Sequence, residues 1–315
     1  LLMVRPAVAL TLTHNGRTTL DLVAEQDDAD ALHRRLAALT GGTAAVATPH
    51  FMGETLYWTK SASILDLPQT QLPHSEVPIP AKRARSDLAR FLAANSVGLK
   101  VDLTEKKTLF SSWTDLITRN GPLFIEKSPH HLYQPQVVAL MREYAAAQND
   151  VGVLFVGIVR NPMDTLYSSW RRFGVDPAKE EAHWLRAYKT WRRLEKDEPG
   201  RSVLLRYEDI VSGRANLGPI FAFAGASNGE PDGATSFHSR SVGRWKDDRG
   251  FGFALSRSTI EFAQEFGYQE AELTNRNAGS WFLRRAPREV AFRIINGAQR
   301  ALRGGVWRLR QSLRH

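Results

Sequence analysis

The run VGVLFVGIV at 151–159 passes directly into Arg160, Asn161 and Pro162. Nine apolar or glycine residues in succession are too few to span a membrane. They also lack the polar alternation of a half-exposed strand, so they describe a strand covered on both faces. Such a strand needs helices to cover it, and the chain supplies them. Short apolar runs recur as TAAVAT at 43–48, LFIEKS at 123–128 and SVLLRY at 202–207, and amphipathic segments lie near 55–66, from Gln134 and from Asp164. The alternation predicts an α/β fold, a parallel sheet flanked by helices.

Before the first of these runs the pattern is different. AVALTLTHNGRTTLDLVA at 7–24 alternates apolar and polar residues on both sides of Asn15-Gly16, the signature of a tight β-hairpin. DDADALHRRLAAL follows with capping Asp residues and Leu at helical spacing, and Gly41-Gly42 ends it. Residues 1–42 are therefore expected to form a small hairpin-plus-helix appendage, residues 43–280 the α/β domain, and residues 281–315 a separate tail. Within the domain, four prolines between 68 and 80 and the basic cluster AKRAR at 81–85 mark 67–110 as an excursion from the sheet containing one helix.

Composition narrows the chemistry. A chain of 315 residues, 43% of them hydrophobic, buries a large core. With no cysteine there is no disulfide or thiolate chemistry, and a zinc site would have to use the nine His and the carboxylates. No run reaches the ~18 apolar residues of a spanning helix, and the first residues lack the apolar core of a signal peptide. A cytoplasmic setting is the expectation. The net charge of +9 is local: the tail holds nine Arg, one Glu and no Lys or Asp, which leaves +1 for all other residues. A nearly neutral body argues against nucleic acid as partner. In the tail, Val290, Ile294, Leu302 and Leu309 share one arc of a helical wheel, and Arg293, Arg300 and Arg310 gather on another. A basic amphipathic helix of this kind makes peripheral membrane contact or packs on the domain or a second chain.

In an open parallel sheet, ligands collect where strands end and helix N-termini point free N–H groups outward. Arg160 stands at such an end. Its forked donors suit a phosphate or sulfate, and Ser168 follows about two helical turns later, some ~12 Å along the axis. Taken alone, the same residues read equally as an Arg160–Asp164 helix cap beside solvent-facing serines.

In its setting, the arrangement resembles the 3′-phosphate-binding element of the sulfotransferase family, carried here by Arg160, Pro162, Asp164 and Ser168. Three further elements resemble the family's in the same order. LFIEKSPHHL at 123–132 is similar to its strand-end Lys element, LLRYEDIV at 204–211 to its strand ending in Tyr-Glu-Asp, and SVGRWKDD at 241–248 to the basic loop that closes over the nucleotide. The resemblance implies a P-loop-like α/β transferase that moves a sulfuryl group from 3′-phosphoadenosine 5′-phosphosulfate to a hydroxyl or amine, with no metal required. The acceptor would be a small molecule, a glycan or a lipid. A catalytically inactive nucleotide- or anion-binding protein on the same fold is the alternative.

The family's 5′-phosphosulfate loop has two candidate positions, HNGRTT at 14–19 and TPHFMGET at 48–55. The second is preferred because a strand pattern precedes it and an amphipathic helix follows. Its N–H groups around Gly53, Glu54 and Thr55 would cradle the anion. His50 stands where the family has another basic residue after Pro, and Glu54 adds a negative charge; either Lys60 or Lys127 compensates, Glu54 is catalytic, or the activity has been lost. The resemblance further implies that Lys127 stabilises the transferred group and that His130 is the general base, with Glu54 and Glu126 as alternatives. It places Arg160 and Ser168 at the 3′-phosphate, Arg244 and Lys246 closing over it, Trp245 as an apolar lid, and Trp170 or Tyr167 as a stacking face for adenine. Tyr207, Glu208 and Asp209 are read as mainly structural, orienting Lys127 or the arginine loop.

Overall fold

The computed structural model describes residues 7–14, 55–72, 75–95, 97, 102–120, 124–224 and 241–278. They belong to two compact units, one drawn from 1–160 and 183–239 and the other from 161–182 and 240–315.

The apolar runs become strands of the first unit: β1 Ala7–His14, β2 Phe124–Lys127, β3 Gly152–Val159 and β4 Ser202–Arg206. They lie in the order β2-β1-β3-β4. β3 and β4 are parallel, pairing Phe155 with Ser202 through Val159 with Arg206. All of β3 after Gly152 is buried, as its unbroken apolar run requires. Gly157 serves packing here, since a Cβ at this position would stand 2.8 Å from the indole of Trp191.

One expectation is corrected by β1. Ala7–His14 was read as one arm of a local hairpin, yet it lies inside the sheet, antiparallel to β2 (Leu10 opposite Lys127) and to β3 (Ala7 opposite Val159). The sheet is therefore mixed, with β2, β3 and β4 running one way and β1 the other. Pairing with two strands satisfies both backbone edges of β1, whereas a two-stranded hairpin leaves one edge of each arm open. The hairpin's second arm, the helix expected after it, the strand expected at 43–48 and the C-terminal helix lie outside the described residues.

In the first unit, α1 Tyr57–Ile64 follows the predicted alternation, α2 Ala81–Ala94 is the helix expected in the excursion, α3 Lys106–Asn120 is a further helix that the sequence reading did not place, and α4 Pro135–Ala147 again follows the alternation. Trp58 of α1 is buried against Trp113 at 5.3 Å and Tyr144 at 5.1 Å between ring centroids, and the Tyr57 hydroxyl donates to the Leu109 carbonyl at 2.6 Å. These aromatics fix the helix that follows the proposed donor loop.

The second unit opens with α5 Pro162–Phe173. Asn161 caps it by accepting from the Met163 N–H at 2.9 Å, Pro162 occupies its first turn, and Gly174 ends it in the left-handed conformation at φ 62°. α6 Pro177–Asp197 follows and belongs to the first unit from His183 onward. Two short helices come after β4, α7 Tyr207–Val211 and α8 Gly218–Ala224; α9 Arg257–Gln264 and α10 Glu270–Leu273 complete the second unit's described helices. Among the described residues no helix is long and apolar enough to cross a membrane.

Candidate active site

In the first unit, the residues just before α1 are tied to the end of β2 through one carboxylate. Glu126 is buried, and its Oε1 accepts from the Thr55 hydroxyl at 2.6 Å and from the Ser128 hydroxyl. Each hydroxyl in turn accepts a backbone N–H: Thr55 from Tyr57 at 3.1 Å and Ser128 from Leu56 at 3.0 Å. Leu56 sits in the left-handed region at φ 50°, ψ 25°. That conformation costs a non-glycine residue ~1–2 kcal/mol, which the bond from its N–H helps to offset. Glu126 had been an alternative general base. Its burial and its two hydroxyl donors make it instead the anchor between these two segments.

Lys127 closes β2 opposite Leu10. A 3-10 turn, Pro129–Tyr133, follows directly and buries both histidines. His130, the expected base, is thus carried on this turn three residues beyond Lys127. His131, fully buried, places Nδ1 3.8 Å from Glu126 Oε2. Thr55 is described as above, while His50, Gly53 and Glu54 lie outside the described residues.

Arg160 emerges from β3 nearly fully buried, its guanidinium carbon 4.8 Å above the ring of Tyr207. Its backbone is held from α6: its N–H donates to the Tyr188 hydroxyl at 3.3 Å, and its carbonyl accepts from Trp184 Nε1 at 3.0 Å. The same Tyr188 hydroxyl donates to the Ile158 carbonyl at 2.9 Å. Burial drives the Tyr188 hydroxyl well above its ordinary pKa, so it stays protonated and keeps that donor. Tyr188 and Trp184 are two residues of the site that the sequence reading missed. The available signal was the spacing of Trp184, Tyr188 and Trp191 on one helical face. The reading of Tyr207 as a residue that orients the arginine loop agrees with its place under Arg160.

In the second unit, α5 and the basic loop are joined. Asp164 is buried and accepts the Gly243 N–H at 2.7 Å, and the Tyr167 hydroxyl donates to Asp248 at 3.0 Å. The Arg160–Asp164 cap considered at first is replaced by Asn161. Arg244 and Lys246 are exposed on the 3-10 turn between these tethers, with Trp245 buried beneath and Lys246 Nζ 5.4 Å from its ring. Ser168 is half-buried on the helix face that carries Asp164, whereas Ser169 is buried and donates to Glu180 at 3.1 Å. Trp170, once considered as an adenine platform, packs on Phe251 at 5.3 Å inside the unit.

Comparison with known proteins completes the description. No curated protein and no solved structure matches the chain. A family model described as the sulfotransferase family matches residues 31–226. The matched span holds the helix after the proposed donor loop, the Glu126–Lys127 strand end, the Arg160 turn and the strand that leads to Tyr207. It exceeds half of the 315 residues, and on that extent the chain belongs to the sulfotransferase family.

Proposed function

We propose that the protein transfers the sulfuryl group of 3′-phosphoadenosine 5′-phosphosulfate to the hydroxyl or amine of a small-molecule, glycan or lipid acceptor. The observation that carries this reading is Arg160, a guanidinium stacked on Tyr207 with its backbone held by Tyr188 and Trp184. A planar cation held in place by the fold loses little freedom on meeting a phosphate, and its forked donors match that geometry. Arg160 is assigned to the 3′-phosphate. Ser168, Arg244 and Lys246, from the second unit, carry the same assignment from the family resemblance, each as a separate proposal.

Transfer breaks the bond between sulfur and the 5′-phosphate oxygen and forms one between sulfur and the acceptor atom. The protein's work is to align the two partners, neutralise charge growing on the leaving oxygen and remove the acceptor's proton. Lys127 is proposed for the charge and His130 for the proton, with Glu54 as the other candidate base. His50, Gly53 and Thr55 are proposed to bind the 5′ end. The charges are met by side chains, so the reaction as proposed calls for no metal ion. Contact of the C-terminal segment with a membrane surface would suit a lipid acceptor.

The test is calorimetric titration with 3′-phosphoadenosine 5′-phosphate, repeated with adenosine 5′-phosphate and with Arg160→Ala. Micromolar affinity that needs both the 3′-phosphate and Arg160 is expected. No binding by the folded wild type overturns the reading. Binding without sulfuryl transfer to any acceptor in a broad panel favours the inactive nucleotide-binding alternative.

A further inference from the structure

Both described registers of β3 end at Val159, opposite Ala7 of β1 and Arg206 of β4. Arg160 is the next residue, one step past the ladder. Its backbone groups are taken up from α6: the Tyr188 hydroxyl accepts its N–H and Trp184 Nε1 donates to its carbonyl. With its own proton the Tyr188 hydroxyl reaches back to the Ile158 carbonyl at 2.9 Å. One hydroxyl therefore ties the end of the strand to the residue that lies beyond it.

The helix does this because it lies close to the strand. Trp191, about one turn further along the same face, sits against Gly157, where a Cβ would stand 2.8 Å from the indole. Trp191, Tyr188 and Trp184 step along β3 from Gly157 to Arg160, all fully buried, and the rings of Trp184 and Tyr188 are 4.6 Å apart. The side chain of Arg160 is supported separately, with its guanidinium over the ring of Tyr207, the first residue of α7. Stacking uses the face of the group and leaves donation to its edge. A forked donor matches a phosphate only when that edge is aimed at it.

We propose that Tyr188 and Trp184 are positioning residues that set the selectivity for a nucleotide bearing a 3′-phosphate, acting through the backbone of Arg160. The proposal rests on the assignment of Arg160 to that phosphate given above. Positioning and simple packing differ in what they protect. A residue needed only for packing supports the binding of every nucleotide, since all depend on the same fold. A residue that aims Arg160 matters only to the ligand group that Arg160 meets.

The experiment titrates the full chain, Arg160→Ala, Tyr188→Phe and Trp184→Phe with 3′-phosphoadenosine 5′-phosphate and with adenosine 5′-phosphate, and follows amide exchange at Arg160. Tyr188→Phe keeps the ring and loses the hydroxyl; Trp184→Phe keeps an aromatic ring and loses the N–H. Each is expected to bind the bisphosphate about 5- to 20-fold more weakly and adenosine 5′-phosphate as the wild type does. Exchange of the Arg160 amide should quicken about tenfold in Tyr188→Phe, and adding Tyr188→Phe to Arg160→Ala should cost no further bisphosphate affinity. Unchanged bisphosphate affinity in both single variants, or equal loss for the two nucleotides, overturns the proposal. Should neither variant fold, the wild type decides. An Arg160 amide that exchanges at the rate of an open loop overturns the proposal, whereas protection that rises with the bisphosphate and not with adenosine 5′-phosphate upholds it. A wild type that binds the two nucleotides equally, or binds neither, overturns the assignment of Arg160 instead.

Discussion

The Thr55 hydroxyl donates to Glu126 Oε1 at 2.6 Å across 71 residues of sequence, and through that bond the start of α1 is fixed to the strand that ends in Lys127. Thr55→Val keeps the shape and removes the link, leaving the Tyr57 N–H without its acceptor. A loss of ~1–3 kcal/mol in urea denaturation is expected, the usual penalty for stranding a buried polar group. Glu126→Gln, which keeps an acceptor oxygen, should cost less than Glu126→Ala. An unshifted midpoint for Thr55→Val would show that the bond contributes nothing.

Tyr207 should act on nucleotide binding through its ring. A guanidinium over an aromatic face gains ~0.5–2 kcal/mol, so Tyr207→Leu is expected to weaken binding of 3′-phosphoadenosine 5′-phosphate by about 2- to 30-fold. Tyr207→Phe should bind as the wild type does. Calorimetry on the two variants separates ring from hydroxyl, and equal loss in both would assign the effect to the hydroxyl.

Gly157 has no room for a methyl group. In Gly157→Ala the added carbon would stand 2.8 Å from the Trp191 indole, three residues before Arg160. Overpacking at such a site costs ~1–3 kcal/mol. The expected result is a lower melting temperature, restored in part by a smaller residue in Trp191→Leu; a melting temperature equal to wild type would mean that the helix shifts freely.

Asp164 tethers the basic loop within the second unit by accepting the Gly243 N–H at 2.7 Å. Asp164→Ala removes that acceptor. Hydrogen exchange at residues 241–250 should accelerate by about 5- to 150-fold, corresponding to ~1–3 kcal/mol of lost protection. Unchanged exchange would place the restraint on the Tyr167–Asp248 bond.

Alkali should unfold the protein in part through Tyr144. Burial pushes its hydroxyl from 10.0 up to about 12, with the Thr114 hydrogen bond acting in the opposite direction. Its folded-state value lies above the unfolded one, so its contribution to stability is complete below pH 10 and is lost as pH rises toward 12. The loss amounts to ~2–3 kcal/mol. Tyr144→Phe should flatten the fall in urea midpoint between pH 10 and 11.5, and a slope equal to wild type would remove Tyr144 from the account.

The strands of the parallel pair were legible because an unbroken apolar run has few other uses, and β3 and β4 stand where those runs occur. The start of α5 was read two residues late. Asp164 drew attention as a capping type, although Asn161-Pro162 carries the better signal, a capping side chain followed by a residue with its backbone already set for a helix. β1 showed the limit of local reasoning. Alternation identified it as a strand, but Asn15-Gly16 said nothing of partners more than a hundred residues away. The placement of Arg160 at a strand end was visible in the sequence. The residues that hold it were not, because Trp184 and Tyr188 look like any apolar face of a helix. A carboxylate's chemistry is written in its residue type and its burial is not, so Glu126 was weighed as a base when it is an anchor.

β1 also sets an order of events. Its partners lie between 111 residues away, from Thr13 to Phe124, and 152 residues away, from Ala7 to Val159. As the chain leaves the ribosome, these eight residues must wait for more than a hundred further residues to be made before either neighbour exists. The sheet cannot assemble outward from its first strand. Closure of that long loop comes late, and until then β2 and β3 present open edges to any strand within reach. The segment synthesised early is the one that seals the sheet.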